Sequence, residues 1–451
     1  MISKNPYTNQ VIEEHAVLSN RKIYEAIQTA QDTYLEWRQT SFEDRASVLL
    51  RVAEILRSEK DTFAQHSTEE MGKPISQSID EIEKCAWVCE YYAKYAKSFL
   101  ADETIKTDAY HSYVRYEPLG VILAVMPWNY PFWQVFRFAA PTLMAGNVGV
   151  LKHASNVQRC AQDIQYIFEK AGCPKGSFLN LPISGDQVKS VLENPIVKAA
   201  TLTGSYPAGS SVASIAGKHI KKTVLELGGS NALIVFPDAH LDTAIDTCIQ
   251  ARFQNTGQSC IAGKRLLLHE SIHDIFVEKV VEKVKNLKVG DPMDPDTFIG
   301  VMARDELAEE LQEQVDKSLA KGAKCLVGGT HKNAFFKPTV LVDVTSDMAV
   351  FTEETFGPVL TVTRFSTENE AIRLSNTNEF GLGVSIFTQS DERVHRMLPN
   401  LEEGAVFVND LVKSDPRLPF GGIKSSGYGR ELSHFGIKEF VNIKTVYMKT
   451  I

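Results

Sequence analysis

The sequence predicts an α/β protein of more than one domain, in which two series of strands alternate with helices. Short apolar runs closed by turn residues stand at 121–125, 148–151 and 198–202, interleaved with helical stretches at 157–171 and 185–192. Alternation of this kind builds a parallel sheet covered by helices. A second series follows Glu226, with strands at 232–236, 264–268 and 359–362 and helices at 242–253, 272–287 and 303–321. The chain of 451 residues also exceeds one core, at roughly 100–200 residues per domain. Hydrophobic residues at 43% and charged residues at 23% suffice for such cores and exclude a disordered chain.

From Ser19 to about Leu100 the pattern is helical. Apolar residues recur at three- and four-residue spacing through Ala46, Leu49, Leu50, Ala53 and Leu56, and again through Ile79, Ile82, Ala86 and Val88. Glu43 and Asp44 stand where a helix dipole favours acids. Gly228-Gly229-Ser230 separates the two strand series and marks a domain boundary. The tail, 438–451, alternates like an edge strand without a core of its own, so it needs a partner surface or frays.

A net charge of −8 argues against a nucleic-acid footprint, and the densest basic spot, Lys218, Lys221 and Lys222, reads as a solvated turn. Seven cysteines, an odd number in a long chain, argue against a disulfide framework and for a reducing compartment. The longest apolar stretch, 121–126, is too short for a bilayer, and the first residues lack the apolar core of a signal peptide. These features predict a soluble cytoplasmic protein with neither nucleic-acid nor membrane partner.

Four segments could carry chemistry, each with a plainer reading beside it. In Phe253-Gln254-Asn255-Thr256-Gly257-Gln258-Ser259-Cys260 a cysteine among small and amide residues lies in a loop between helix and strand. A nucleophilic thiol needs that openness; the plain reading is an inert buried cysteine. Cys248 and Cys325 fall on apolar faces and take the plain reading, and Cys85 and Cys89 form a helix-packing face rather than a metal site. Glu226, before Leu227-Gly228-Gly229, is a base whose apolar setting would raise its pKa, or an ordinary turn glutamate. Asn129, in Pro127-Trp128-Asn129-Tyr130-Pro131, is an oxyanion donor or a routine turn residue. Gly204-Ser205 follows a strand and precedes a helix, where phosphate can meet backbone N–H groups. Lys152, after another strand, reaches a ribose or phosphate, or simply water.

Taken in order, Pro127-Trp128-Asn129, Lys152, Gly204-Ser205, Glu226-Leu227-Gly228-Gly229, Gly257-Gln258-Ser259-Cys260, Glu353-Glu354-Thr355-Phe356-Gly357-Pro358 and Pro419-Phe420-Gly421-Gly422 resemble the aldehyde dehydrogenase superfamily. Lys152-His153-Ala154-Ser155-Asn156 and Asp415-Pro416-Arg417-Leu418-Pro419-Phe420 resemble its bacterial NADP-linked branch acting on succinate semialdehyde.

The resemblance implies a Rossmann-like cofactor domain (1–101 and 118–227), an α/β catalytic domain (228–430) and a small bridging β element (102–117 and 431–451) that joins subunits into dimers or tetramers. It implies that Cys260 attacks the aldehyde, that Asn129 and the Cys260 N–H hold the oxyanion, and that hydride transfer to the nicotinamide leaves a thioester which Glu226 helps water to cleave. Trp128, Lys152, Ser155, Gly204, Ser205, Leu227, Glu354 and Phe356 would bind the cofactor. Many NAD-linked relatives carry glutamate where Ser155 stands, so the resemblance favours NADP+, with NAD+ as the alternative. Arg137, Ser414 and Phe420 would bind the substrate, with Arg137 clamping a distal carboxylate; the competing role for Arg137 is an ion pair with an acidic neighbour. Gln254 stands where some relatives have a second arginine, which keeps glutarate semialdehyde open as an alternative substrate. Ala262 stands where others have a second cysteine, so an intramolecular redox switch is not expected, and no metal site is expected either.

Overall fold

The computed structural model describes residues 1–450. The first strand series becomes a six-stranded sheet in the spatial order Gly427–Tyr428, Lys222–Glu226, Val197–Thr203, Val121–Met126, Val148–His153, Phe178–Asn180. All neighbours are parallel except Gly427–Tyr428, which runs antiparallel against Leu225 and Glu226. Val121–Met126 is central, with the chain stepping to Val148–His153 on one side and to Val197–Thr203 on the other. A crevice therefore opens at their carboxyl ends, the usual ligand position in such sheets.

Helices Asn20–Trp37, Phe42–Ser58, Lys60–Met71 and Ile75–Phe99 share one apolar core with this sheet. Asp44 has a local role. Its N–H donates to Ser41 Oγ at 3.0 Å and its carboxylate accepts the Ser41 N–H at 3.2 Å, closing a capping box. Helix Trp133–Met144 was not apparent as a helix from spacing, because every one of its residues is buried and no polar face marks the period.

The second series forms a seven-stranded sheet, ordered Lys324–Val327, Thr339–Val342, Val359–Phe365, Gly263–His269, Asn231–Val235, Val384–Phe387, Val406–Val408. Separate apolar clusters cover its two faces. Cys85, Cys89 and Cys248 are buried, as expected, but Cys325 is exposed. It lies on the edge strand Lys324–Val327, whose residues are mostly open to solvent, so the apolar face expected for it does not exist.

The chain leaves the first sheet at Glu226 and enters the second at Asn231, across the expected Gly228-Gly229-Ser230 boundary. It returns before residue 430, since Gly427–Tyr428 already belongs to the first sheet. Two residues are too few to show a strand period, so the sequence hides this return. The tail does not fray. Val441–Met448 pairs along its whole length with His111–Pro118, which also pairs with Glu103–Thr104. No helix among the described residues is long and apolar enough to cross a membrane.

Asn147 ties this arrangement together from a fully buried position. Its carbonyl accepts the Gly120 N–H at 2.9 Å and its amide donates to the Phe440 carbonyl at 2.9 Å, joining the central strand to the start of the tail. Asn147→Ala leaves both groups unsatisfied and should lower unfolding free energy by roughly 2–4 kcal/mol, read as an earlier urea midpoint. A midpoint unchanged from the parent would show that the tail docks without this bridge.

Candidate active site

Helix Leu241–Phe253 ends at a sharp turn. Asn255 and Thr256 both have φ 54° and Gly257 φ 72°, so three consecutive residues are left-handed. That conformation is costly for a β-branched threonine and persists only where the surroundings impose it. They do so here: Asn255 Nδ2 donates to the carbonyls of Asn129 at 2.8 Å and Gln258 at 3.0 Å. At 257 only glycine fits, because a Cβ would strike the Gly357 carbonyl. The turn delivers Cys260 to the junction of two cavities.

The first cavity, about 300 Å³, is walled by Tyr130, Trp133, Arg137, Ser414 and Phe420. The second, about 390 Å³, lies at the crevice and is walled by Trp128, Asn129, Gly204, Ser205, Leu227, Glu354 and Phe356. Only Gln134 and Cys260 line both. Ten expected site residues thus meet around the Cys260 thiol from separate parts of the chain.

Burial pushes the Cys260 thiol up to about 11, while the charges of Lys264 and Arg137 pull against it. At neutral pH the group is therefore a thiol that must lose its proton to react. Asn129 is held by its own polar contacts: Nδ2 donates to the Gln258 carbonyl at 3.0 Å and Oδ1 accepts from Gln134 at 3.2 Å.

Lys264, which sequence reasoning missed, is fully buried. Its Nζ donates to the carbonyls of Ser259 at 3.0 Å, Cys260 at 2.9 Å and Gly229, and pairs with Glu354 at 2.9 Å. The same Glu354 oxygen accepts the Gly229 N–H at 3.0 Å, and Glu354 lines the second cavity. A Cβ at 229 would come within 2.6 Å of the Cys260 carbonyl, so the Gly-Gly turn packs directly on the thiol loop. The available signal was a lysine at the start of a buried strand, four residues after Cys260.

Two placements differ from expectation. Glu226 lines neither cavity. Its carboxyl is buried beside Gly421, Glu431 and Arg137, and neither oxygen has a hydrogen-bond partner among the described residues. Burial first, and Glu431 second, push its pKa well above the carboxylate range. The apolar setting expected to raise its pKa is present, but the side chain points away from both cavities that share the thiol. Arg137 lines the first cavity, but it is an ion pair first. Its guanidinium, 2% exposed, pairs with buried Glu431, stacks 4.5 Å from the Phe420 ring and donates to Thr203 Oγ1 at 3.3 Å. A buried guanidinium needs a permanent counter-ion, and Glu431 supplies it, so the ion pair named as the competing role is present in a residue that also lines the first cavity.

Lys152 lies within strand Val148–His153, near its carboxyl end rather than after it, and Ser155 follows two residues beyond the strand; neither lines the second cavity. Ser155 is exposed and Lys152 half-buried; burial lowers Lys152, and no carboxylate among the described residues pairs with it. Across the crevice, Ser205 begins helix Tyr206–Lys218 without a side-chain cap, leaving the first-turn N–H groups free for an anion. A free cation, an open helix start and a glycine turn fit a phosphorylated dinucleotide.

The thiol's elevation has a direct readout. Carbamidomethylation of Cys260 by iodoacetamide should accelerate about tenfold per pH unit below about 11, without a plateau near neutrality. A plateau near pH ~7 would mean that the resting group is already a thiolate.

The sequence model of the aldehyde dehydrogenase family matches residues 1–446. A probable NADP(+) succinate-semialdehyde dehydrogenase of Synechocystis sp. is 47% identical over 447 residues, covering 98% of each chain. Succinate-semialdehyde dehydrogenase [NADP(+)] 1 of Mycobacterium tuberculosis is 47% identical over 450 residues, again covering 98% of each. Among solved structures, succinic semialdehyde dehydrogenase of Streptococcus pyogenes, in complex with NADP+, superposes with a TM-score of 0.97 at 37% identity, covering 100% of both chains. The chain belongs to the aldehyde dehydrogenase family.

Proposed function

We propose that the protein oxidises succinate semialdehyde to succinate, using NADP+ as oxidant. The observation that carries this reading is one thiol shared by two cavities, one at the dinucleotide end of a parallel sheet and the other walled by Arg137 and Ser414. Relatives 47% identical over nearly the whole chain carry that activity in their names.

In this mechanism Cys260 loses its proton and its sulfur adds to the aldehyde carbon, forming a thiohemiacetal. The developing oxyanion takes hydrogen bonds from Asn129 Nδ2 and the Cys260 N–H, donors worth ~3–4 kcal/mol each in comparable sites. The bound nicotinamide supplies the hydride acceptor. Glu226 then turns towards the resulting thioester and takes a proton from the attacking water. Its elevated pKa means that this step gains as pH rises, because only the ionised carboxylate can accept the proton. Trp128, Leu227, Glu354 and Phe356 shape the nicotinamide end of the cofactor site, and Gly204 and Ser205 receive the pyrophosphate. Lys152 and Ser155 hold the adenosine ribose and its 2′-phosphate. Phe420 closes the aldehyde cavity beside Arg137.

The same reading divides the chain into a cofactor domain (1–101 and 118–227), a catalytic domain (228–430) and a bridging element (102–117 and 431–451) that joins subunits into a homodimer or homotetramer. It places the enzyme in the cytoplasm.

Two measurements test the assignment. Initial rates should favour NADP+ over NAD+, and Ser155→Glu should cut that preference roughly 10- to 100-fold through repulsion of the 2′-phosphate. An unchanged preference would remove Ser155 from the cofactor site. Glu226→Gln should give a burst of about one reduced cofactor per Cys260 followed by slow turnover, because the thioester accumulates. Slow turnover without a burst would place Glu226 before hydride transfer.

A further inference from the structure

Helix Ile75–Phe99 sends Gln77, Glu81 and Lys84 into the wall of the first cavity, residues spaced to share one helix face. Lys84 stands apart from every other cation there. Arg137 is matched by Glu431, and Lys413 by Asp410 at 2.5 Å. Lys84 has no carboxylate within ion-pair distance among the described residues, although acids lie nearby. Glu81 is committed to Lys73 and to the Phe132 and Trp133 N–H groups, and Asp415 to Arg417. Asp80 is exposed at the cavity mouth. Burial first, and the Arg137 charge second, push Lys84 down to about 8, as expected for an ammonium lacking a counter-ion.

The neutral contacts of Lys84 orient it. Nζ lies 4.3 Å from the Trp133 ring centroid and donates to Ser414 Oγ at 2.9 Å. Trp133 Nε1 donates to the same oxygen at 2.9 Å. With both acceptor positions of Ser414 filled, its hydroxyl proton must be donated elsewhere, and Lys84 keeps two further N–H groups. A hydroxyl and an ammonium thus offer donors without acceptors, in the cavity that also holds Cys260.

We propose that Lys84, together with Ser414, is the receptor for the distal carboxylate of the substrate and sets selectivity for acid-bearing aldehydes. The proposal rests on the semialdehyde reading above. It supplies the second cation that Gln254 fails to provide, from a helix about 170 residues earlier in the chain.

The test is the ratio of kcat/KM for succinate semialdehyde to that for butanal, which lacks only the carboxylate. Wild type should favour the semialdehyde. Lys84→Met should lower the ratio about 30- to 100-fold, mostly through KM, and Lys84→Arg should restore much of it. Quenching of tryptophan fluorescence by NADP+ checks that each variant is folded, and Lys84→Gln carries the same comparison if the methionine variant is not. A structural role would depress both aldehydes alike and leave the ratio unmoved. If wild type favours the acid and the variants keep that ratio, the Lys84 proposal is overturned while the semialdehyde reading stands. If wild type shows no preference for the acid, both fall.

Discussion

The site depends on one buried ammonium. Lys264 has no access to water, and three backbone carbonyls and one carboxylate replace its hydration shell. Those acceptors come from the Gly-Gly turn that joins the two sheets, from the thiol loop and from Glu354. A desolvated charge is tolerated only when its partners are fixed, so the charge fixes the loops in return. The left-handed turn at Asn255, Thr256 and Gly257 is held at one end of this arrangement and Cys260 at the other.

A second electrostatic centre lies behind the thiol. Glu226 and Glu431 are both buried, and burial raises both, with Arg137 opposing the rise. Arg430 opposes the rise at Glu226 as well, yet burial outweighs both guanidinium charges. That imbalance favours a protonated Glu226 in the resting site, and a protonated side chain is cheaper to rotate through an apolar interior than an ionised one. Arg137 holds this centre together and packs against Phe420 in the wall of the first cavity.

What the sequence revealed and what it hid follow from distance along the chain. Cys260, Asn129 and Gly204-Ser205 sit in short segments whose residue types are demanded locally, by a turn, a thiol loop or a helix start. Their neighbours advertise them, although the thiol loop holds Cys260 only partly open to solvent. Lys84 and Glu431 work through Ser414 and Arg137, far away in the chain, and Lys264 adds the distant Gly229 and Glu354 to its neighbours Ser259 and Cys260. Nothing beside them in the chain signals those distant partners. The strand series were readable because buried parallel strands are continuous apolar runs. Gly427–Tyr428 was too short and Trp133–Met144 too uniformly buried to show a period.

The two cavities meet only at Cys260 and Gln134, and this bears on traffic through the enzyme. A molecule filling one cavity leaves the lining of the other almost untouched. The dinucleotide and the carbon substrate need not queue for a shared vestibule, and neither must leave for the other to arrive. The thiol acts as a septum with one compartment on each side, so exchange in one can proceed while the acyl group remains tethered in the other.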